Sequence, residues 1–232
     1  MKLFRGLLIL LLLALIAGGV AIYESWIRIP PNFLPWGTVV LDAEPGWFAN
    51  IQLNGLSADG NACRAALGRS TLKFSVIADR KIGADCGFTD VVRADATPIP
   101  FSPRPVATCS MTAGLYWWQR RLNEIAQVEL KTGIVRIDQL GTYACRNINS
   151  AAEGRRSQHA TANAIDIAAF HTADGRVISV VKDYGKATPE GRFLDGAHDA
   201  ACGLFNIVLG PRYNRLHANH FHLDMGGFRF CR

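Results

Sequence analysis

The pattern of apolar and polar positions changes character three times along the chain. Lys2 and Arg5 are followed by an uncharged run from Gly6 to Tyr23, rich in Leu, Ile and Ala. A basic start ahead of an apolar run predicts a secretory signal or a short membrane anchor. Ala17-Gly18-Gly19 suits cleavage, but the run continues through Val20, Ala21 and Ile22 and reaches about the lower limit for a spanning helix. We read residues 1–23 as an uncleaved anchor, with secretion after signal cleavage as the alternative. Basic residues on the short N-terminal side keep that end cytoplasmic. The rest of the chain is then expected in the periplasm, tied to the inner membrane by a single pass.

Residues 24–36 break the pattern with Pro30, Pro31 and Pro35, flanked by Trp26 and Trp36. Proline-rich sequence cannot continue a helix and tends to be extended, which predicts a juxtamembrane linker with its tryptophans at the membrane interface. Residues 37–107 carry mixed signals and are read as an N-terminal accessory region. Within them Thr38–Leu41 and Leu72–Ala78 read as strands and Ala62–Leu67 as a short helix. Pro98, Pro100, Pro103 and Pro105 mark a second break.

Residues 108–232 are better organised. Leu115, Trp118, Leu122 and Ile125 recur at helical spacing, predicting a helix over 111–127 capped by Ser110. Tyr116, Trp117 and Trp118 fit core packing rather than a ligand platform. Ile134–Ile137 reads as a strand leading to Gly141-Thr142-Tyr143. Ala164–Phe170 and Val177–Val181 read as a hairpin about Asp174-Gly175, a dipeptide favoured in tight turns. Residues 190–206 form an amphipathic helical pattern through Phe193, Leu194, Ala197, Ala201, Leu204 and Phe205. His220–Leu223 alternates as a short strand. The expected fold is α+β, with a small, mostly antiparallel sheet and flanking helices behind an N-terminal membrane helix.

Charge and cysteines narrow the setting. The net charge is +6, of which two charges sit in the leader, leaving +4 with no polybasic run. Nucleic-acid binding calls for a concentrated basic patch, so that class of partner is set aside. Cys63, Cys86, Cys109, Cys145, Cys202 and Cys231 are scattered, without the close pairs of a zinc ribbon or a thioredoxin-like redox site. Exported chains oxidise such cysteines to disulfides. Of the 15 pairings six cysteines allow, we expect chain neighbours to pair: Cys63–Cys86, Cys109–Cys145 and Cys202–Cys231.

The candidate chemistry lies in His159, Asp166, His217, His220 and His222. Zinc hydrolases use three protein ligands and leave a fourth position for water. Seven positions on a helix rise about 10 Å, too far for two ligands that must each reach zinc at about 2 Å. His159 and Asp166 therefore share a metal only if the chain between them folds back, and Ala160-Thr161-Ala162-Asn163-Ala164 is small enough to do so. His220 and His222, two apart on a strand, project from one face with Cα atoms roughly 7 Å apart. Two core histidines on one strand are hard to satisfy without a purpose. His217 falls in the turn after Pro211-Arg212-Tyr213-Asn214. His171 and His198 lie outside the set and read as surface residues.

Ser157-Gln158-His159, Asn163-Ala164-Ile165-Asp166 and His220-Phe221-His222 together resemble the two-part signature of the LAS metallopeptidases. That group covers lysostaphin-type enzymes, D-Ala-D-Ala peptidases and penicillin-insensitive murein endopeptidases. The spacing His217-x-x-His220-x-His222 is similar to the murein endopeptidase branch. Residues 108–232 also resemble the bacterial extensin-like C-terminal domain family. That match runs through Cys109-Ser110-Met111, Tyr143-Ala144-Cys145-Arg146, Phe193-Leu194, Ala201-Cys202, Leu209-Gly210-Pro211 and His220-Phe221-His222-Leu223-Asp224.

The resemblance implies a LAS/hedgehog-like metallopeptidase core with His159, Asp166 and His222 as zinc ligands. It implies His220 as general base or stabiliser of the intermediate, and His217 as an auxiliary proton-transfer or orienting group. Arg146 occupies the place where such enzymes often hold an arginine for the carbonyl oxygen or a substrate carboxylate; a buried pair with Asp224 is the other reading. Asp224 could instead orient a zinc-bound histidine. Branches using a Glu-x-x-His pair have glutamate where this chain has Asn219, so only the histidine-based chemistry is open to it. The expected function is a zinc peptidase acting on peptidoglycan peptides. The alternative is a non-catalytic, zinc-stabilised cell-wall-binding or assembly module.

Overall fold

The first element of the computed structural model, which describes residues 2–24, 26–83 and 85–232, is helix α1 (Lys2–Tyr23). Its 22 residues span about 33 Å at 1.5 Å per residue, against a hydrocarbon core of about 30 Å. Its described residues are largely exposed, and the helix is long and apolar enough to cross a membrane or to serve as a signal sequence.

After a 3-10 turn at Pro31–Phe33 come α2 (Ala49–Ala58) and α3 (Gly60–Gly68), then β1 (Lys73–Val76), β2 (Arg80–Lys81), β3 (Gly87–Phe88), β4 (Val91–Ala96), β5 (Phe101–Ser102) and β6 (Val106–Thr108). The long helix α4 (Cys109–Glu129) leads to β7 (Ile134–Gly141), β8 (Ala164–Thr172), β9 (Val177–Ser179), α5 (Val180–Asp183) and α6 (Pro189–Cys202). Strands β10 (Ile207–Leu209), β11 (Phe221–Asp224) and β12 (Phe230–Cys231) close the chain. The fold is α+β, as expected. Its main sheet has seven strands in the order β12-β10-β11-β8-β7-β5, with β9 also on β8. All pairings in it are antiparallel except β10–β12 and β5–β7. A three-stranded sheet, β1-β4-β6, and the β2–β3 hairpin stand apart from it.

Helices α4 and α6 cover one face of the main sheet. Ile165, Ile167, Phe221 and Leu223 join the core there. Between β7 and β8 the register shifts, Asp138 facing Ala169 while Gln139 faces Ile167. The extra residue in β8, Ala168, is a bulge, and it returns Phe170 to the core face. Phe170 makes edge-to-face contacts with Trp118 of α4 and Phe193 of α6, pairs worth about 0.5–1.5 kcal/mol each. Trp117 and Trp118 are fully buried, and their indole N–H groups donate to the Ala43 and Ala197 carbonyls. Gly196 lets α6 approach α4 closely, since a Cβ there would lie 2.9 Å from Ile125. Residues before and after position 108 share this core.

Four local expectations differ from the structure. Ser110 lies buried inside α4, whose N-cap is Thr108. Thr38–Leu41 is not a strand, because the Asn32 carboxamide accepts from the Val40 N–H and donates to its carbonyl, taking the place of a partner strand. The linker expected to be extended is instead held onto α2, with Gln52 donating to the Pro31 and Leu34 carbonyls. The disulfides are Cys63–Cys109, Cys86–Cys145 and Cys202–Cys231. Only the last joins chain neighbours as expected. The packing of α3 on α4 brings Cys63 to Cys109, and the β2–β3 hairpin lies against residues 143–145, where Phe88 meets Tyr143 edge to face.

Candidate metal centre

Strand alternation builds the centre. On β11, Phe221 and Leu223 face the core while His222 and Asp224 project from the other side. Register pairs His222 with Asp166 on the neighbouring β8, and the two residues share that face. His159 comes from the 3-10 turn Gln158–Thr161, whose end is Ala162 in the left-handed region at φ 54°. That reversal is the fold-back the spacing required, and it is tied down by Asn163 N–H donating to the Gln158 carbonyl.

Three ligand atoms converge. His159 Nε2 lies 3.2 Å from Asp166 Oδ1 and 3.2 Å from His222 Nδ1, and His222 Nδ1 lies 3.0 Å from Asp166 Oδ1. A triangle with these edges leaves a point about 2.0 Å from all three corners, the distance at which nitrogen and carboxylate oxygen bind zinc. The supporting contacts orient both imidazoles. His159 Nδ1 donates to the Thr142 carbonyl at 3.3 Å, and His222 Nε2 donates to Asp224 Oδ2 at 2.9 Å. Asp224 Oδ1 in turn accepts from the Gly226 N–H. Asp224 therefore takes the orienting role, and it does not pair with Arg146.

The remaining candidates surround this triangle. His220 Nε2 stands 3.5 Å from Asp166 Oδ1, and its Nδ1 donates to Asn219 Oδ1 at 2.8 Å. His217 is buried and donates through Nδ1 to Asn214 Oδ1. Arg146 is half exposed, with a guanidinium nitrogen 3.8 Å from Asp166 Oδ2. All six residues line one cleft of about 670 Å³. The cleft is also lined by Arg155, Arg156, Tyr213, Leu216, Phe228 and Phe230, none of them marked in the sequence. These sit on loops, a 3-10 turn and the two-residue strand β12, segments too short for a periodic pattern to mark them.

Charge at the centre is coupled to its geometry. Burial pushes the Asp166 carboxyl up, but hydrogen bonds from His159 and His222 outweigh it and hold the group well below the usual carboxylate range. Burial pushes His222 down, yet Asp166 and Asp224 prevail and raise it to about 9. His217 goes the other way, lowered to about 4 by burial and by His222 and His220. Burial also lowers His220. In the metal-free protein His222 is thus an imidazolium clamped by two carboxylates. A base raised above its unfolded value of 6.5 adds stability fully present below 6.5 and lost as pH rises through about 9. Melting of metal-free wild type and His222→Gln across that window is expected to show the wild-type advantage shrinking as pH rises. A constant difference would contradict the clamp.

The remaining two histidines also have defined places. His171 is half buried, with Nε2 2.6 Å from Asp138 Oδ2. His198 is not a surface residue: it is buried on α6, against Phe221 and Tyr184. It lies on the same helical stripe as Leu194, Ala197 and Ala201, all of them buried. It sits 3.8 Å from Cys202 Sγ, which the Cys202–Cys231 disulfide removes as a ligand.

Residues 61–232 match the family model described as Extensin-like protein C-terminus. No curated protein and no solved structure matches the chain.

Proposed function

The chain belongs to the extensin-like C-terminal family, and from that premise we propose that it is a zinc-dependent peptidase hydrolysing amide bonds in peptidoglycan peptides on the periplasmic face of the inner membrane. The observation that carries this reading is the convergence of His159 Nε2, Asp166 Oδ1 and His222 Nδ1 at 3.0–3.2 Å, with His220 beside them in the same cleft. Support also comes from the likeness of Ser157-Gln158-His159, Asp166 and His220-Phe221-His222 to the LAS metallopeptidase signature.

Zinc held by His159, Asp166 and His222 would supply a Lewis acid that activates water. The chain's own groups then divide the proton work. Asn219 holds the His220 Nδ1–H, which leaves Nε2 unprotonated and facing the centre. Burial favours the neutral form of that ring, so His220 stands as a base ready to take the proton of the attacking water. The same nitrogen, once protonated, delivers the proton to the leaving amine. His217, lowered to about 4, is neutral near pH 7 and orients groups rather than donating. Arg146 reaches into the cleft to hold the carbonyl oxygen or a carboxylate of the peptide. Arg155, Arg156, Phe228 and Phe230 also line the cleft, a mixture that suits a peptide with both anionic and apolar parts.

His220→Ala tests this reading. The variant is expected to keep its zinc and to lose about 10²–10⁴-fold in hydrolysis of purified muropeptides, the usual contribution of a positioned acid–base group. Release of new amines is the readout, with metal content measured on the same samples. Should wild type with bound zinc release no amine from sacculi yet still bind them, the protein is a wall-binding module instead.

A further inference from the structure

We propose that the folded domain rests on the bilayer through a fixed aromatic foot formed by Phe33, Trp36 and Trp47, in addition to its attachment through α1. Trp36 and Trp47 are 78% and 90% exposed, whereas Trp117 and Trp118 are fully buried. The chain thus buries two of its indoles in the core and presents others outward on ordered backbone. Phe33 and Trp47 meet edge to face, their ring centroids 6.3 Å apart, so residues from two separate turns form one patch. Val40 and Ile51 are also exposed on these segments.

The foot is rigid because its backbone is locked from beneath. Asn32 is buried at 1% exposure and donates to the Val40 and Glu44 carbonyls, each at 2.9 Å. Gln52 of α2 donates to the Pro31 and Leu34 carbonyls at 3.0 and 2.7 Å. Two glycines allow the segments to cross: a Cβ on Gly37 would lie 2.0 Å from the Pro31 oxygen, and one on Gly46 would lie 2.0 Å from the Asn32 oxygen. Buried carboxamides and glycine crossings hold the backbone that carries the aromatic side chains.

Chain length and side-chain chemistry together name the occupant. Helix α1 ends at Tyr23, and the ten residues from there to Phe33 reach at most about 35 Å when fully extended. An indole is apolar in body and polar at its N–H, which is why tryptophan concentrates at the headgroup level of membranes. Of the two nearby carboxylates, both exposed, Glu44 is paired with the Arg120 guanidinium and Asp42 accepts from the Tyr116 hydroxyl. The partner is the interfacial layer of the bilayer that holds α1. This rests on α1 lying in the membrane and is independent of whether the cleft hydrolyses anything.

The full chain with Trp26→Phe and Trp36→Phe, reconstituted in phosphatidylcholine–phosphatidylglycerol vesicles, retains Trp47 with the two core tryptophans. Phosphatidylcholine brominated near the headgroup end of its acyl chains is expected to quench the Trp47 share of the emission, and aqueous iodide to leave it intact. Adding Trp47→Phe should remove the quenchable share without moving the core emission, which also reports that the domain is folded. Emission from Trp47 that iodide quenches and brominated lipid does not would overturn the proposal and leave the patch as a site for a soluble partner. A chain that fails to float with the vesicles would overturn it too.

Discussion

Asp166→Asn is expected to leave the domain folded while zinc content falls from about one ion per chain to background, with hydrolysis lost alongside. Asp166 Oδ1 is the atom on which the centre converges, 3.2 Å from His159, 3.0 Å from His222 and 3.5 Å from His220. It also brings the one negative charge among the three proposed ligands. Asparagine keeps the volume and can still meet the imidazoles by hydrogen bonds, so the β8–β11 pairing should survive. What disappears is the charge that offsets a dication. Asp224→Asn is the graded companion. Of the three proposed ligands it meets only His222, at the far nitrogen, and loss of such an outer partner typically weakens metal binding about 10–100-fold. Elemental analysis and chelator competition on both variants measure the difference, with circular dichroism and melting as the check on folding. Stoichiometric, wild-type-like zinc in Asp166→Asn would remove the centre from consideration.

The parts of this centre differ in how far the sequence revealed them. The strand period alone put His220 and His222 on one face, because alternate residues of a strand point the same way. The meeting of His159 with Asp166 was legible only as a condition, since seven residues apart they touch only through a reversal. That reversal is made at Ala162, whose left-handed backbone no residue preference announced. Asn219 showed in the sequence as a missing glutamate, but its hold on His220 needed coordinates. His198 carried a readable signal that went unused: at i+4 from Leu194 and i−3 from Ala201 it falls on the apolar stripe of α6. The linker misled for a different reason. Proline content speaks to local conformation, whereas its structure comes from carboxamides of Asn32 and Gln52 that reach across to other turns. Disulfide pairing is non-local in the same way, and chain order could not reveal that α3 packs on the start of α4.

Cys86–Cys145 closes a loop with a sequence separation of 59, for which the chain-entropy model gives about 4 kcal/mol of stabilisation. For a domain of this size each kcal/mol moves the melting midpoint by about 2–4 °C, so Cys86→Ser/Cys145→Ser is expected to melt roughly 8–16 °C lower. The effect should not stop at stability. Cys145 follows Thr142, whose carbonyl accepts from His159 Nδ1, and Ala144, whose N–H donates to the His159 carbonyl; Arg146 comes next in the chain. Freeing this strip from the β2–β3 hairpin loosens both the orientation of His159 and the position of Arg146. Zinc affinity should therefore fall together with the melting temperature. Cys202→Ser/Cys231→Ser opens a loop with a separation of 29, worth about 3.5 kcal/mol on the same model, but none of the three proposed ligands hangs from it. That variant is expected to melt lower with its zinc affinity intact. Calorimetry and chelator competition on the two variants separate general loosening from a specific link. Equal zinc affinity in both would mean that the Cys86–Cys145 bridge serves stability alone.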